Sequence, residues 1–397
     1  MRVLVLSNTP FEPPSAGNRA RIGRMVDHLA AGGHEVAMLM LPADDRATWN
    51  LETMRTRLAW LEVAPPAPTP PPSVLGRARA RLARVGRRIT AATNPPPVGI
   101  DDWCPPSFQA HTRACVAAWK PDVVLAEYVF LSAALDDLAR FHPCTTVVDT
   151  HDVMHQRRAV YEALALAPQW FHTTRDEERR GLLRADLVLA INDDDAAVLR
   201  ALVPERRVLT VPHAEPVVPG PRSAARPDRL LFVASYNPVN ARGLAWFTES
   251  VWPALRVAVP TLELEICGNL ATELGALPAG IVARGFVPDL TSQYAAARVV
   301  VNPILAGTGI KVKAVQALCH GRPLVTTRAG ASGLDAGEAH GVLVADDPAA
   351  FVAAVHGLLI DDARWARVAA AAAAQAARRF APEVAFGPLL ATLTQAR

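Results

Sequence analysis

Short runs of β-branched and leucine residues recur along this chain, each bounded by turn-forming residues and followed by a longer stretch with apolar residues at helical spacing. Such alternation suits a parallel sheet covered by helices, because a strand buried on both faces needs no polar side. In the first half the pattern predicts strands near Val3 to Ser7, Glu35 to Leu41, Val123 to Ala126, Thr145 to Asp149, Leu187 to Ile191 and Val208 to Val211. The second half repeats it near Leu230 to Ser235, Leu262 to Cys267, Ile281 to Gly285, Val299 to Asn302, Leu324 to Thr327 and Gly341 to Val344. Pro212 to Asp228 holds five prolines and few large apolar residues, and reads as a linker. An Ala-rich helix from Ala363 to Phe380 is broken by Pro382, and a last apolar segment, Val384 to Leu393, is placed to cross back onto the first domain.

The expected architecture is therefore α/β, with two doubly wound Rossmann-like domains facing each other across a cleft. Their predicted extents are 1–212 and 229–380, joined by the linker 213–228, with 381–397 returning to the first domain. A length of 397 residues agrees, since one core rarely organises that much chain. Ligands bind outside the carboxyl ends of strands in such sheets, so the cleft is the expected site.

One segment concentrates the chemistry. From Gly307 through Thr308, Gly309, Ile310, Lys311, Val312 and Lys313, a glycine-bearing turn leads two lysines into a helix closed by Gly321-Arg322-Pro323. Glycines let backbone N–H groups approach an anion, a helix N-terminus adds partial positive charge, and ammonium groups add full charges. The segment reads as a phosphate site.

Charge and cysteine content narrow the alternatives. A formal charge of +3 from nearly balanced acids and bases is too small for a general nucleic-acid binder. Cys104, Cys115, Cys144, Cys267 and Cys319 show no CxxC pair and no metal-ligand spacing, which favours reduced thiols and a cytoplasmic setting. Asp193-Asp194-Asp195 imitates a metal motif but is read as capping a helix beginning near Ala196, and no metal site is expected. No uncharged apolar stretch is long enough to span a membrane. The proline-dense insertion of about 65–97 is different: on a helix, Leu75, Leu82, Val85 and Ile89 share one stripe and Arg77, Arg81, Arg84 and Arg88 another. That pattern fits peripheral contact of residues 73–93 with an anionic membrane surface, and equally a solvated flap over the cleft.

Three segments carry a family resemblance: Pro13-Pro14-Ser15-Ala16-Gly17-Asn18-Arg19, Asp149-Thr150-His151-Asp152-Val153-Met154-His155, and the second half from Leu230 through Tyr236-Asn237-Pro238 to Gly321-Arg322-Pro323. The chain resembles family-4 retaining glycosyltransferases of the GT-B fold. The resemblance implies transfer of a sugar from a nucleotide-diphospho-sugar to an acceptor hydroxyl on a polysaccharide, glycolipid or natural product. The donor is a co-substrate, no cofactor is implied, and the front-face mechanism needs no metal. It implies catalytic roles for His151, Lys311 and Lys313. Donor contacts fall on Gly17, Ser235, Arg242, Gly285, Phe286, Val287, Gly307, Thr308, Gly309, Ile310 and Gln316. Glu127, Tyr128, Asp152 and His155 fall on the acceptor side.

Two departures stand out against that family. Relatives commonly carry two glutamates with seven residues between them, and here the positions are Thr308 and Gln316. A neutral amide bonds hydroxyls more weakly than a carboxylate, by about 1 kcal/mol. The basic pair usual after the first strand of the second domain is replaced by Tyr236-Asn237, leaving Arg242 as the nearest cation. These changes keep open a catalytically decayed binding or partner subunit. A nucleotide-sugar 2-epimerase shares the fold, but no cluster of catalytic carboxylates and histidines is evident for it.

Overall fold

A computed structural model describes residues 1–42, 46–65, 99–166, 172–218, 226–273 and 275–395. The insertion of about 65–97, with its expected membrane contact at 73–93, lies almost wholly outside these described residues.

Two parallel sheets form the scaffold. The first contains β1 (Arg2–Ser7), β2 (Glu35–Met40), β3 (Trp60–Val63), β4 (Val123–Glu127), β5 (Thr145–Asp149), β6 (Leu187–Ala190) and β7 (Arg207–Thr210), in the order β3-β2-β1-β4-β5-β6-β7. The second contains β8 (Arg229–Val233), β9 (Glu263–Cys267), β10 (Ile281–Gly285), β11 (Val299–Asn302), β12 (Leu324–Thr326) and β13 (Val342–Val344), in the order β10-β9-β8-β11-β12-β13. All strand pairs within both sheets are parallel. The twelve strands expected from the hydrophobic pattern are present, their ends matching to within two residues. The thirteenth, β3, was not expected. It is a four-residue edge strand with only partial burial, so its sequence lacks the continuous apolar run that marks the central strands.

Helices cover both faces of each sheet. Leu4 and Leu6 pack with Phe108, Val129 and Leu131 on one side of β1, while Val3 and Val5 pack with Ile22, Met25 and Leu29 on the other. In the second domain Phe232, Phe247 and Phe351 centre one cluster. The opposite face joins Leu231 and Val300 to Ala314, Val315 and Leu318, and this cluster also includes Ile191 from the first domain.

The proline-rich connection is only partly a free linker. His213 and Ala214 are fully buried, Glu215 donates its backbone N–H to the Phe380 carbonyl, and Val218 donates to that of Cys319. Glu215 also accepts from Arg24 at 2.5 Å, so the connection is clamped to both domains. Burial works to raise the Glu215 carboxyl, but His213 and Arg24 override it and hold it at about 2.

The long Ala-rich helix, Asp362–Arg379, ends at Phe380, and a last helix, Pro382–Gln395, packs against the first domain. Phe386, Leu389 and Leu393 enter the core that Met25, Val26 and Leu29 supply, and the Phe386 ring lies 5.1 Å from that of His28. Truncating a fully buried aromatic leaves a cavity that such a junction cannot fill. Phe386→Ala is expected to destabilise the first domain by about 3 kcal/mol, read as a lower thermal unfolding midpoint in calorimetry, with far less change for the exposed Val384→Ala.

Candidate functional site

Each sheet reverses its winding between its first strand and the strand paired on that strand's other side: β1 against β4, and β8 against β11. Connections leave such a pair in opposite directions and open a crevice at the carboxyl ends. The two crevices face one another. Between them lies a cavity of about 480 Å³, lined by Gly17 after β1, Tyr128 after β4, Ser235 after β8 and, from the turn after β11, Gly307, Thr308, Ile310 and Lys311.

The turn touches the opposite domain. Gly309 has φ of +65°, and a Cβ there would stand 3.0 Å from the His151 carbonyl oxygen, so both torsion and space call for glycine. Gly17 starts the helix Gly17–Ala31, and a Cβ on it would lie 3.1 Å from a Val312 methyl carbon. The start of one domain's first helix thus abuts the start of the other's Val312–Cys319 helix. Both helix N-termini meet at the cavity, and their partial positive charges add there.

Both lysines line it. Lys311 Nζ donates to the carbonyls of Thr308 at 2.9 Å and Gly309 at 2.8 Å. Lys313 Nζ donates to Asn240 Oδ1 at 3.0 Å and sits 4.8 Å above the Phe232 ring. Burial lowers Lys311 to about 8, against the pull of Asp152 and Asp195. Burial, with Lys311 adding to it, lowers Lys313 to about 7. The partners are neutral oxygens and a ring face, so an entering anion finds two under-neutralised ammonium groups.

Asn240 is a contributor that the sequence did not single out. Its Nδ2 donates to the Ser235 carbonyl at 2.7 Å while its Oδ1 receives Lys313. Asn237 caps the same helix, accepting from the Asn240 N–H at 2.7 Å. The spacing Asn237-Pro238-Val239-Asn240 was a visible cap signal, but the lysine contact spans 73 residues and was not.

Behind the opposite wall lies a buried charge network. Arg21 makes a two-pronged contact to Asp149, at 2.7 and 2.9 Å, and donates to the Val211 carbonyl. Burial works to raise the Asp149 carboxyl, but Arg21 overrides it and holds it below the usual range. His151 Nε2 meets Glu127 Oε2 at 2.5 Å, and its ring stacks on Tyr128 with centroids 4.2 Å apart. Burial raises the Glu127 carboxyl despite that contact. Glu127, Asp149 and His151 bring their ligand atoms within 4.8 Å of one another, yet both Asp149 oxygens are taken by Arg21, which supplies the cation.

Other expected residues divide. Gly307, Thr308, Ile310, Gln316, Ser235, Tyr128, His151 and Asp152 line the cavity with Gly17 and the lysines. Phe286 and Val287 line a second cavity of about 260 Å³, beside Gln316, which belongs to both. Gly285 lies outside both linings, its carbonyl accepting from Gly268 at 2.6 Å. Gln316 Oε1 accepts from the Tyr294 hydroxyl at 3.3 Å. Three more of the expected residues lie away from the cavity walls. Glu127 is buried beneath His151 and does not reach the cavity wall. His155 turns away, its Nδ1 held by Glu178 at 2.5 Å. Arg242 is exposed on the helix Pro238–Trp246 and lines neither cavity, because that helix turns its Asn240 face inward instead.

The acidic triplet also differs from expectation. The helix begins at Asp193 and Asn192 caps it, so the three acids occupy the first turn, where the dipole favours them. Asp195 is pushed up to about 7, by burial first and by Asp152 second.

Residues 227–361 match the family described as Glycosyl transferases group 1. No curated protein matches the chain. Among solved structures, it is similar over 100% of both chains to sucrose-phosphate synthase from Thermosynechococcus elongatus, at 16% identity and a TM-score of 0.68. It is similar over the same full extent to Anabaena HepE in complex with UDP-glucose, at 14% identity and a TM-score of 0.67. A variant of S. aureus TarM, in complex with fondaparinux, α-GlcNAc-glycerol and UDP, covers 99% of this chain and 100% of its own at 7% identity and a TM-score of 0.69. The fold is GT-B, and the match to the group 1 glycosyltransferase model lies within the second domain.

The lysine environment sets a pH dependence. With pKa values near 7 and 8, the lysines lose protons through the neutral range in the empty cavity, and a bound polyanion restores them. Binding therefore takes up protons above pH 7 and weakens as pH rises. Affinity for a nucleoside diphosphate is expected to fall by about tenfold between pH 7 and pH 8 and more steeply above, toward about 100-fold per unit while both lysines are protonated only in the complex, with proton uptake in calorimetry performed in two buffers of different ionisation enthalpy.

Proposed function

We propose that this protein is a retaining glycosyltransferase that moves a sugar from a nucleotide-diphospho-sugar to an acceptor hydroxyl. One observation carries the reading: two lysines on a glycine turn, at a helix N-terminus, open onto a cavity whose far wall belongs to the other domain. The base would occupy the smaller cavity against the Phe286-Val287 main chain. Gln316, shared by both cavities, would meet the ribose, and the diphosphate and sugar would fill the larger one. HepE in complex with UDP-glucose makes UDP-sugars the first donors to try.

In the proposed reaction the bond from the anomeric carbon to the phosphate oxygen breaks as the acceptor oxygen bonds to the same face of that carbon. The departing phosphate takes the acceptor proton, and the nucleoside diphosphate leaves. Lys311, Lys313 and the backbone N–H groups of the turn stabilise the charge that develops on it, and the scheme calls for no metal. His151, held by Glu127 and Tyr128, presents a fixed surface to the sugar. Tyr128 and Asp152 line the side from which an acceptor would enter. The acceptor class, whether polysaccharide, glycolipid or natural product, is one bearing a free hydroxyl. A cytoplasmic setting, at the membrane surface if residues 73–93 bind lipid, belongs to the same reading.

With UDP-glucose and a panel of other nucleotide sugars, saturable binding and slow donor hydrolysis are expected, releasing the α-anomer from an α-linked donor, as NMR would register. Replacing Lys311 and Lys313 together by methionine should lower turnover by about 100-fold or more while circular dichroism stays unchanged. Unaltered nucleotide affinity and turnover in that folded variant would overturn the reading.

Gln316 supports a second reading, a decayed subunit that binds without catalysis. Gln316→Glu is expected to tighten donor binding about fivefold with little gain in turnover. A rise in turnover of 100-fold or more would identify a decayed site instead.

A further inference from the structure

Away from the cleft, β3 and the helix Pro106–Trp119 bring together three side chains that the proposed reaction does not use. On β3, Trp60 and Glu62 share one face because alternate residues point the same way. On the helix, His111, Cys115 and Trp119 follow at intervals of four and so share one stripe. Trp60 and Trp119 pack edge to face with centroids 5.6 Å apart, which fixes the strand against the helix. One step along, Glu62 Oε1 lies 2.7 Å from His111 Nε2, and one ligand atom from each of Glu62, His111 and Cys115 lies within 4.8 Å of the others.

We propose that Glu62, His111 and Cys115 form a binding site for a divalent cation of the zinc class. An imidazole nitrogen, a thiolate and a carboxylate oxygen are the donor types this ion prefers, and three protein ligands leave a fourth position for water. Tetrahedral coordination at ordinary bond lengths sets ligand atoms about 3.3–3.8 Å apart, so the observed grouping needs only small rotamer changes. The histidine and cysteine come from adjacent turns of one helix, which spares most of the ordering cost. The side chains of His111 and Glu62 are 27% and 47% exposed, so an ion can reach them from solvent.

On binding, the Cys115 S–H bond breaks, sulfur bonds to the metal and the proton passes to solvent. The Glu62–His111 hydrogen bond is replaced by two metal bonds. In the metal-free protein, burial first and Glu62 second push the Cys115 thiol up to about 11, so that proton must be displaced. That displacement makes the affinity rise with pH and leaves it below that of a closed four-ligand site. The metal would join the edge strand to the helix across the stretch of chain between residues 63 and 106. Binding to the folded state alone would stabilise the protein in proportion to occupancy.

The test is titration of the untagged full-length protein with Co²⁺ and then Zn²⁺. One Co²⁺ per chain is expected, with a thiolate-to-cobalt charge-transfer band in the near ultraviolet that Zn²⁺ abolishes. Cys115→Ser should remove the band, and His111→Ala and Glu62→Gln should each weaken binding tenfold or more. Cys144→Ser, at another half-buried thiol, should change nothing. Circular dichroism of each variant separates lost ligands from lost structure, and Cys115→Ser is close enough in size to keep the fold. No stoichiometric binding by the parent protein, or a band that survives in Cys115→Ser, would reduce the cluster to an ion pair only.

Discussion

Two ammonium groups withdrawn from water are the feature on which the site depends. Holding Lys311 and Lys313 at a half-buried wall carries a desolvation cost, visible in their lowered proton affinities. The structure offsets it with neutral groups: two backbone carbonyls for one lysine, an amide oxygen and an aromatic face for the other. A carboxylate in either place would have neutralised the cation and closed the site to phosphate. The nearest acids, Asp152 and Asp195, act on Lys311 through space only. That leaves the lysines charged enough to attract an anion and insufficiently solvated to ignore one.

The opposing wall answers a different requirement, that of rigidity. Arg21, Asp149, Glu127 and His151 form a buried chain of contacts from the first helix through the ends of β4 and β5. Such a network adds little net stability, since desolvation consumes most of the Coulombic gain, but its geometry is demanding and its partners are held in one arrangement. His151 has φ of +55°, an unusual torsion for a side-chain-bearing residue, and its carbonyl lies against Gly309. The strained backbone brings the first domain to the glycine turn, and the ring is held by Glu127 and stacked on Tyr128. The two domains meet at this point through the His151 carbonyl and the glycine of the turn, which leaves no room for a side chain at Gly309.

Around the seam, covalent and non-covalent connections reinforce one another. The proline-rich crossing is pinned by Arg24, Phe380 and Cys319, and the last helix returns Phe386 to the first domain's core. Ile191 packs with Ile310 in a cluster otherwise built by the second domain. A seam of this kind resists free separation of the lobes while leaving the cavities open.

Much of the architecture was legible because its signals are local. Central strands buried on both faces read as uninterrupted apolar runs, the glycine turn and its lysines are contiguous, and Pro382 announces the break before the returning helix. The strand β3 escaped notice because it is short and only partly buried. What the tertiary structure decided is which of the polar residues face the cleft. Arg242, His155 and Glu127 occupied plausible positions in the chain, yet helix rotation, a Glu178 partner and burial under His151 took each of them from the cavity wall. Arg21 and Asn240 gained roles through partners 128 and 73 residues away. Periodicity along a chain reports which side of an element is buried. The partners of a buried charge depend on how the elements pack, and that information exists only once the sheets and helices are assembled.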